Sequence, residues 1–273
     1  MNRFARLAAG IISAFMAALV CAHDARAADA PAQHAALPAS ATLFPILVTP
    51  PFGFDAFHVQ GLVVTDDHFF LTSVDKSTTT AIIFKINRAD NTLAGQKVIS
   101  KLFDFHPGGM DYDGTYIWVP VAVYDDNSHT YMTIVDPATL RHKVVFEVQD
   151  HIGAAARIGD MVIGANWNAR DFYFFTLKGE LIDKKPSPTG IGYQDCKGVN
   201  GFLMCTGGGF LDWIDVDKWE LAKRYTLGES LAGSPLSREG VAWNQGNVFF
   251  LPDDGEQGRI YGFSFTPQQQ QPE

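Results

Sequence analysis

Apolar residues in this chain come in short alternating runs, and the breaks between runs carry turn-forming residues. From residue 61 the order is Gly61-Leu-Val-Val64, Thr-Asp-Asp, His68-Phe-Phe-Leu-Thr-Ser-Val74, Lys-Ser-Thr, Ala81-Ile-Ile-Phe-Lys-Ile86, and then Lys97-Val-Ile-Ser-Lys-Leu-Phe103. Such a row predicts four strands with short connections, an antiparallel meander. No stretch sustains an apolar period of 3.6 residues, which argues against the βαβ classes.

The unit recurs. It opens as His58-Val-Gln-Gly61, His106-Pro-Gly-Gly109, His151-Ile-Gly-Ala154, Asp195-Cys-Lys-Gly198 and Ser237-Arg-Glu-Gly240, with the small residue stepping by 48, 45, 44 and 42 positions. A period of roughly 40–50 residues built from strands signals a β-propeller. After Arg259–Phe265, its third strand, the fifth unit runs into a Pro/Gln tail. Its fourth strand is expected from Thr42–Thr49, which would close the ring and remove an exposed sheet edge. The expected fold is an all-β, five-bladed propeller of four-stranded antiparallel blades. Six blades is the alternative, if the N-terminal segment builds more than one strand.

The ends read differently. Arg3 and Arg6 precede an apolar run from Leu7 to Ala22 and an Ala-Arg-Ala ending at Ala27. That order is the signature of a secretory signal cleaved after residue 27. Residues 28–41 are expected to form an Ala/Pro-rich flexible lead-in, 42–267 a single propeller domain, and 268–273 a disordered tail. No later run is long enough to span a bilayer, so a periplasmic or secreted monomer is expected. With 273 residues, 47% hydrophobic, the chain has the means to bury a core. Its 21 Lys+Arg against 30 Asp+Glu leave no basic excess for nucleic acid.

Two cysteines follow the leader, Cys196 and Cys205, on either side of Asn200-Gly201. That dipeptide is the preferred type I′ hairpin turn. Counting outward from it places Cys196 opposite Cys205 in a non-hydrogen-bonded pair, where Cα atoms approach most closely. A disulfide is expected in an oxidising compartment.

Meander geometry brings all five repeat starts to one face around the axis. One layer there reads His58, His106, His151, Asp195, Ser237, and the next Gln60, Gly108, Gly153, Lys197, Glu239. Three of the chain's eight His share one repeat position. Imidazole with carboxylate suits a divalent ion such as Zn²⁺, Fe²⁺, Mn²⁺ or Ca²⁺, which makes His58, His106, His151 and Glu239 the candidate ligands. Asp195 and Glu239 are the candidate catalytic acids or bases. The second-to-third strand turns reach the same face, adding Trp167 and Asn168 as walls, Arg170 for an anion, and Asp253. Gln60 and Lys197 complete the pocket, Lys197 as a charge partner. The same His residues could instead hydrogen-bond the next blade and hold the ring together.

The fifth unit, Glu239-Gly-Val-Ala-Trp243, Asn247-Val-Phe-Phe-Leu-Pro-Asp253 and Gly258-Arg-Ile-Tyr261, resembles the opening blade of the gluconolactonase/regucalcin-like propellers. That resemblance implies Glu239 as a ligand of a central divalent cation, and metal-activated opening of esters or lactones. The run from His106 to Pro120, followed by Val135-Asp-Pro-Ala-Thr-Leu140, resembles a family of exported bacterial propellers of unknown function and implies the fold. The expected function is a metal-dependent hydrolase of a small molecule. The alternatives are a non-catalytic propeller binding a small molecule or an envelope protein and, ranked third, glycoside hydrolysis by Asp195 with Glu239.

Overall fold

The computed structural model describes residues 37–38, 42–100 and 103–266. The expected leader, the lead-in apart from Leu37 and Pro38, and the tail lie outside the described residues. Strand β1 (Phe44–Val48) precedes the first blade in the chain. Blade one is β2 (His58–Val64), β3 (His68–Asp75), β4 (Thr80–Asn87) and β5 (Leu93–Val98). Blade two has a split inner strand, β6 (His106–Pro107) and β7 (Asp111–Tyr112), followed by β8 (Ile117–Ala122), β9 (Thr130–Val135) and β10 (His142–Val148). Blade three is β11 (Ile152–Ile158), β12 (Met161–Asn166), β13 (Asp171–Thr176) and β14 (Leu181–Pro186). Blade four is β15 (Asp195–Val199), β16 (Phe202–Gly207), β17 (Phe210–Asp215) and β18 (Glu220–Thr226). Blade five is β19 (Gly240–Asn244), β20 (Asn247–Leu251) and β21 (Tyr261–Ser264), completed by β1. β1 pairs antiparallel with β21, Val48 opposite Tyr261 and Phe44 opposite Ser264. Among the described residues the N-terminal segment supplies one strand, and the ring closes at five blades.

Each blade packs on both neighbours, and the alternation of side chains divides the apolar residues between two interfaces. Leu62, Phe69 and Leu71 pack with Phe249 and Leu251 of blade five, whereas Val63 and Phe70 pack with Met110 and Val119 of blade two. Three further clusters fill the two-three, three-four and four-five interfaces. This is why inner strands read as continuous apolar runs: both faces are buried.

The small residue of the repeat sits where inner strands converge. A Cβ on Gly198 would lie 1.8 Å from the Arg157 carbonyl oxygen of blade three, and one on Gly109 would lie 2.4 Å from Asp195 Oδ1. Lacking a Cβ lets the backbones meet: Gly109 N–H donates to Gly153 O at 2.8 Å, and Ala155 N–H to Gly109 O at 3.0 Å.

Two buried carboxylates lace the ring across the axis. Asp195 of blade four accepts N–H from Leu62 of blade one (3.2 Å) and Val241 of blade five (3.0 Å). Asp111 of blade two accepts N–H from Arg157 of blade three and Gly198 of blade four, both at 2.8 Å. Between them all five blades are joined. The Cys196–Cys205 disulfide is present, with the two residues paired across β15 and β16. Asn200 and Gly201 both have positive φ (49° and 85°), as a type I′ turn requires.

Candidate functional site

Inner-strand starts and second-to-third strand turns meet at one mouth of the ring, around a cavity of about 140 Å³. His58, Gln60, His106, His151 and Glu239 supply its chemistry, and Tyr124, Trp167 and Tyr193 its aromatic walls. Asn166, Asn168 and Gln194 add side-chain amides.

His58 is oriented by a carboxylate. Its Nδ1 lies 3.2 and 3.3 Å from the two oxygens of Asp254, which also accepts the Val59 N–H (3.1 Å) and Arg238 Nη2 (2.8 Å). Burial pushes the Asp254 carboxyl up, but His58 and Arg238 outweigh it and leave it below its ordinary range. An ionised Asp254 accepts from His58 Nδ1, which in the neutral ring leaves the lone pair on Nε2.

His106 and His151 form a second pair, His106 Nδ1 to His151 Nε2 at 3.2 Å. The backbone oxygen of Asp125, 3.0 Å from His151 Nδ1, can only accept. That assigns the protons: His151 donates from Nδ1 to Asp125, and His106 donates from Nδ1 to His151 Nε2. Burial, then the charges of His151, His58 and Lys76, push His106 down to about 3. Burial likewise lowers His151. Both rings are neutral near pH 7, and Tyr124 and Trp167 meet them edge-on with centroids at 4.4 and 4.5 Å.

Glu239 is the acid of the pocket. Burial lifts its carboxyl to about 8, with Asp254 adding to the effect and Arg238 and Lys76 opposing it. Arg238 Nε stands 3.5 Å from Oε1, and Gln60 Nε2 is 3.5 Å from Oε2. Near pH 7 Glu239 therefore keeps a proton to give.

The remaining sequence-predicted residues are placed elsewhere. Asp195 is fully buried beneath the mouth, held by two backbone amides and the Lys197 ammonium. Lys197 opens instead toward the opposite mouth. Arg170 is exposed outside the lining. Asp253 is buried against Ser230 Oγ (2.8 Å) and the Tyr261 hydroxyl (3.2 Å). Its neighbour Asp254 is the residue that reaches His58. Among the described residues no three His, Cys, Asp or Glu are grouped to hold one metal ion. His58 is engaged by Asp254, and His106 and His151 are engaged with each other.

Fold and site define a five-bladed propeller with a polar, aromatic-walled axial pocket. Within that class the chain belongs to DUF6454, a family of unknown function whose profile matches residues 18–211. This bears out the resemblance to propellers of unknown function. Among solved structures it is similar to the glutaminyl cyclase of Myxococcus xanthus, with 12% identity over 81% of this chain and 95% of that one and a TM-score of 0.58. The WD40 domain of Neurospora crassa Pan2 is 9% identical, over 72% of this chain and 56% of that one, with a TM-score of 0.45. No curated protein matches the chain.

Proposed function

We propose that the axial pocket binds a small uncharged polar molecule and opens an ester or lactone in it by proton transfer. The observation that carries this reading is His58, oriented by Asp254, lining the same cavity as a buried Glu239 that retains its proton. His58 Nε2 takes a proton from water as its oxygen bonds to the substrate carbonyl carbon. Glu239 gives its proton to the leaving oxygen as the carbon–oxygen bond breaks, and solvent returns the proton from His58 to Glu239. Side-chain amides and aromatic walls, with neutral His106 and His151, favour an uncharged ligand with hydroxyl groups over an ion. The signal-like N-terminus and the disulfide are compatible with an exported protein and support reading this activity as periplasmic or secreted. The test is a panel of small lactones, esters and a glutaminyl peptide, the last because of the Myxococcus xanthus neighbour. Turnover lost in Glu239→Gln and His58→Ala supports the reading, and turnover unchanged in both overturns it.

A divalent cation is the second reading, favoured by the 3.2 Å between His106 Nδ1 and His151 Nε2. Two ligands at about 2.0–2.1 Å on one tetrahedral ion lie about 3.3 Å apart. Such an ion would polarise a carbonyl and acidify a bound water. Elemental analysis of protein purified without a His tag decides: near-stoichiometric metal, lost in His106→Ala, supports it, and no metal after incubation with Zn²⁺, Fe²⁺, Mn²⁺ and Ca²⁺ removes it.

A further inference from the structure

The opposite mouth of the ring opens into a second and larger cavity, of about 580 Å³. Small-molecule sites typically measure about 300–1,000 Å³. The far ends of the inner strands and the first-to-second strand turns build it, so it shares no lining residue with the pocket of His58 and Glu239. Val63, Phe70 and Trp243 give it apolar walls, and Asp111 and Lys197 lie at its depth.

The charges at that depth are unevenly matched. Lys197 is neutralised by Asp195 and also donates to the Cys196 carbonyl. Asp111, only 7% exposed, accepts N–H from Tyr112 on Oδ1 and from Arg157 and Gly198 on Oδ2. Among the described residues no Lys, Arg or His lies within ion-pair distance of it. A carboxylate oxygen has two lone-pair sites, so Oδ1 keeps one for a further donor. Burial raises the Asp111 carboxyl, and the nearby Lys197 charge and the three backbone N–H groups offset this only in part. On the rim, Asp66 and Asp67 are acidic. Lys85 is directed to the Ala138 carbonyl at 3.5 Å and stands 5.8 Å from the Phe70 ring. His68 is held below its ordinary range by burial and by Lys85.

We propose that this cavity is a second binding site, for an organic ammonium ion whose head meets Asp111 and whose apolar body lies against Val63, Phe70 and Trp243. The chain's net charge of −9 steers such a cation toward the protein.

Calorimetric titration with 2-phenylethylamine, and with 3-phenylpropionate as a probe of similar size and opposite charge, tests the proposal. One equivalent of the amine is expected to bind, at least tenfold tighter than the acid. Ala138→Trp, at an exposed rim position, is expected to weaken the amine at least tenfold, while His58→Ala in the other pocket leaves it unchanged. Asp111→Asn should abolish the preference for the amine. Because Asp111 joins three blades, Ala138→Trp keeps the test sound if that variant fails to fold. No amine binding, equal binding of both probes, or sensitivity to His58→Ala but not Ala138→Trp overturns the proposal.

Discussion

Asp195 Oδ2 accepts the backbone N–H of Leu62 at 3.2 Å, although 133 positions separate the two in the chain. The bond crosses the axis from blade four to blade one, and with Val241 and Lys197 it satisfies a carboxylate that has no contact with solvent. Replacing Asp195 by Ala leaves the N–H groups of Leu62 and Val241 buried without their acceptor. Each such loss costs about 1–3 kcal/mol, so Asp195→Ala is expected to lower the urea midpoint.

The same residue gives stability a signed dependence on pH. Burial lifts the Asp195 carboxyl to about 6, against the partial offset of Lys197 and the two amides. The unfolded chain releases that proton at about 3.9. Between about pH 4 and pH 6 the native state holds more protons, so this group's contribution is fully present at the acid end and is lost as pH rises through 6. The stability difference between wild type and Asp195→Ala, which does not titrate, should therefore shrink across that window. A difference that grows with pH, measured by urea unfolding at each pH, contradicts the assignment.

Activity should have an alkaline limb set by Glu239. A group that must donate a proton stops working when it ionises, and burial places that ionisation at about 8. The rate is expected to fall tenfold per pH unit above about 8. Glu239→Gln should lower the rate by about 10²–10⁴ and flatten the limb; a limb that survives the substitution assigns it to another group.

Asp254→Asn separates orientation from packing at His58. The amide can present Nδ2–H to His58 Nδ1 and so favour the other tautomer, which removes the lone pair from Nε2. A loss of about 10³–10⁴ in kcat is expected, with KM little changed and the thermal midpoint within a few degrees of wild type. Equal loss in Asp253→Asn would argue against the tautomer account, because Asp253 bonds Ser230 and Tyr261 and not His58.

Gly198→Ala is expected to cost about 4 kcal/mol or more, since its Cβ would overlap the Arg157 carbonyl oxygen of blade three. Gly246→Ala, in a turn with open space and a φ of +79°, should cost only about 1 kcal/mol. Chemical denaturation of the two variants side by side checks whether the repeat glycine serves packing at the axis or merely a turn. Reduction of Cys196–Cys205, which closes a nine-residue separation, should cost at most about 3 kcal/mol, read as the shift in urea midpoint with and without reductant.

Period, blade number and ring closure were legible in the chain itself, because each rests on local alternation and on glycine where backbones must meet. The Cys196–Cys205 pairing was legible for the same reason: the Asn200-Gly201 turn sets the register on both sides. So was the company of His58, Gln60, His106, His151, Trp167, Asn168 and Glu239 at one mouth, which follows from strand direction alone. Tertiary structure decided the rest. Asp253 and Asp254 lie past the end of β20, where the two-residue period no longer applies, and only the packed turn sends Asp254 rather than Asp253 to His58. Asp195 shares a repeat position with three His, yet it lies beneath the mouth because the backbone amides of blades one and five converge on it. The pairing of His106 with His151, and the proton on Glu239, depend on burial and on neighbours from other blades, which no local pattern encodes.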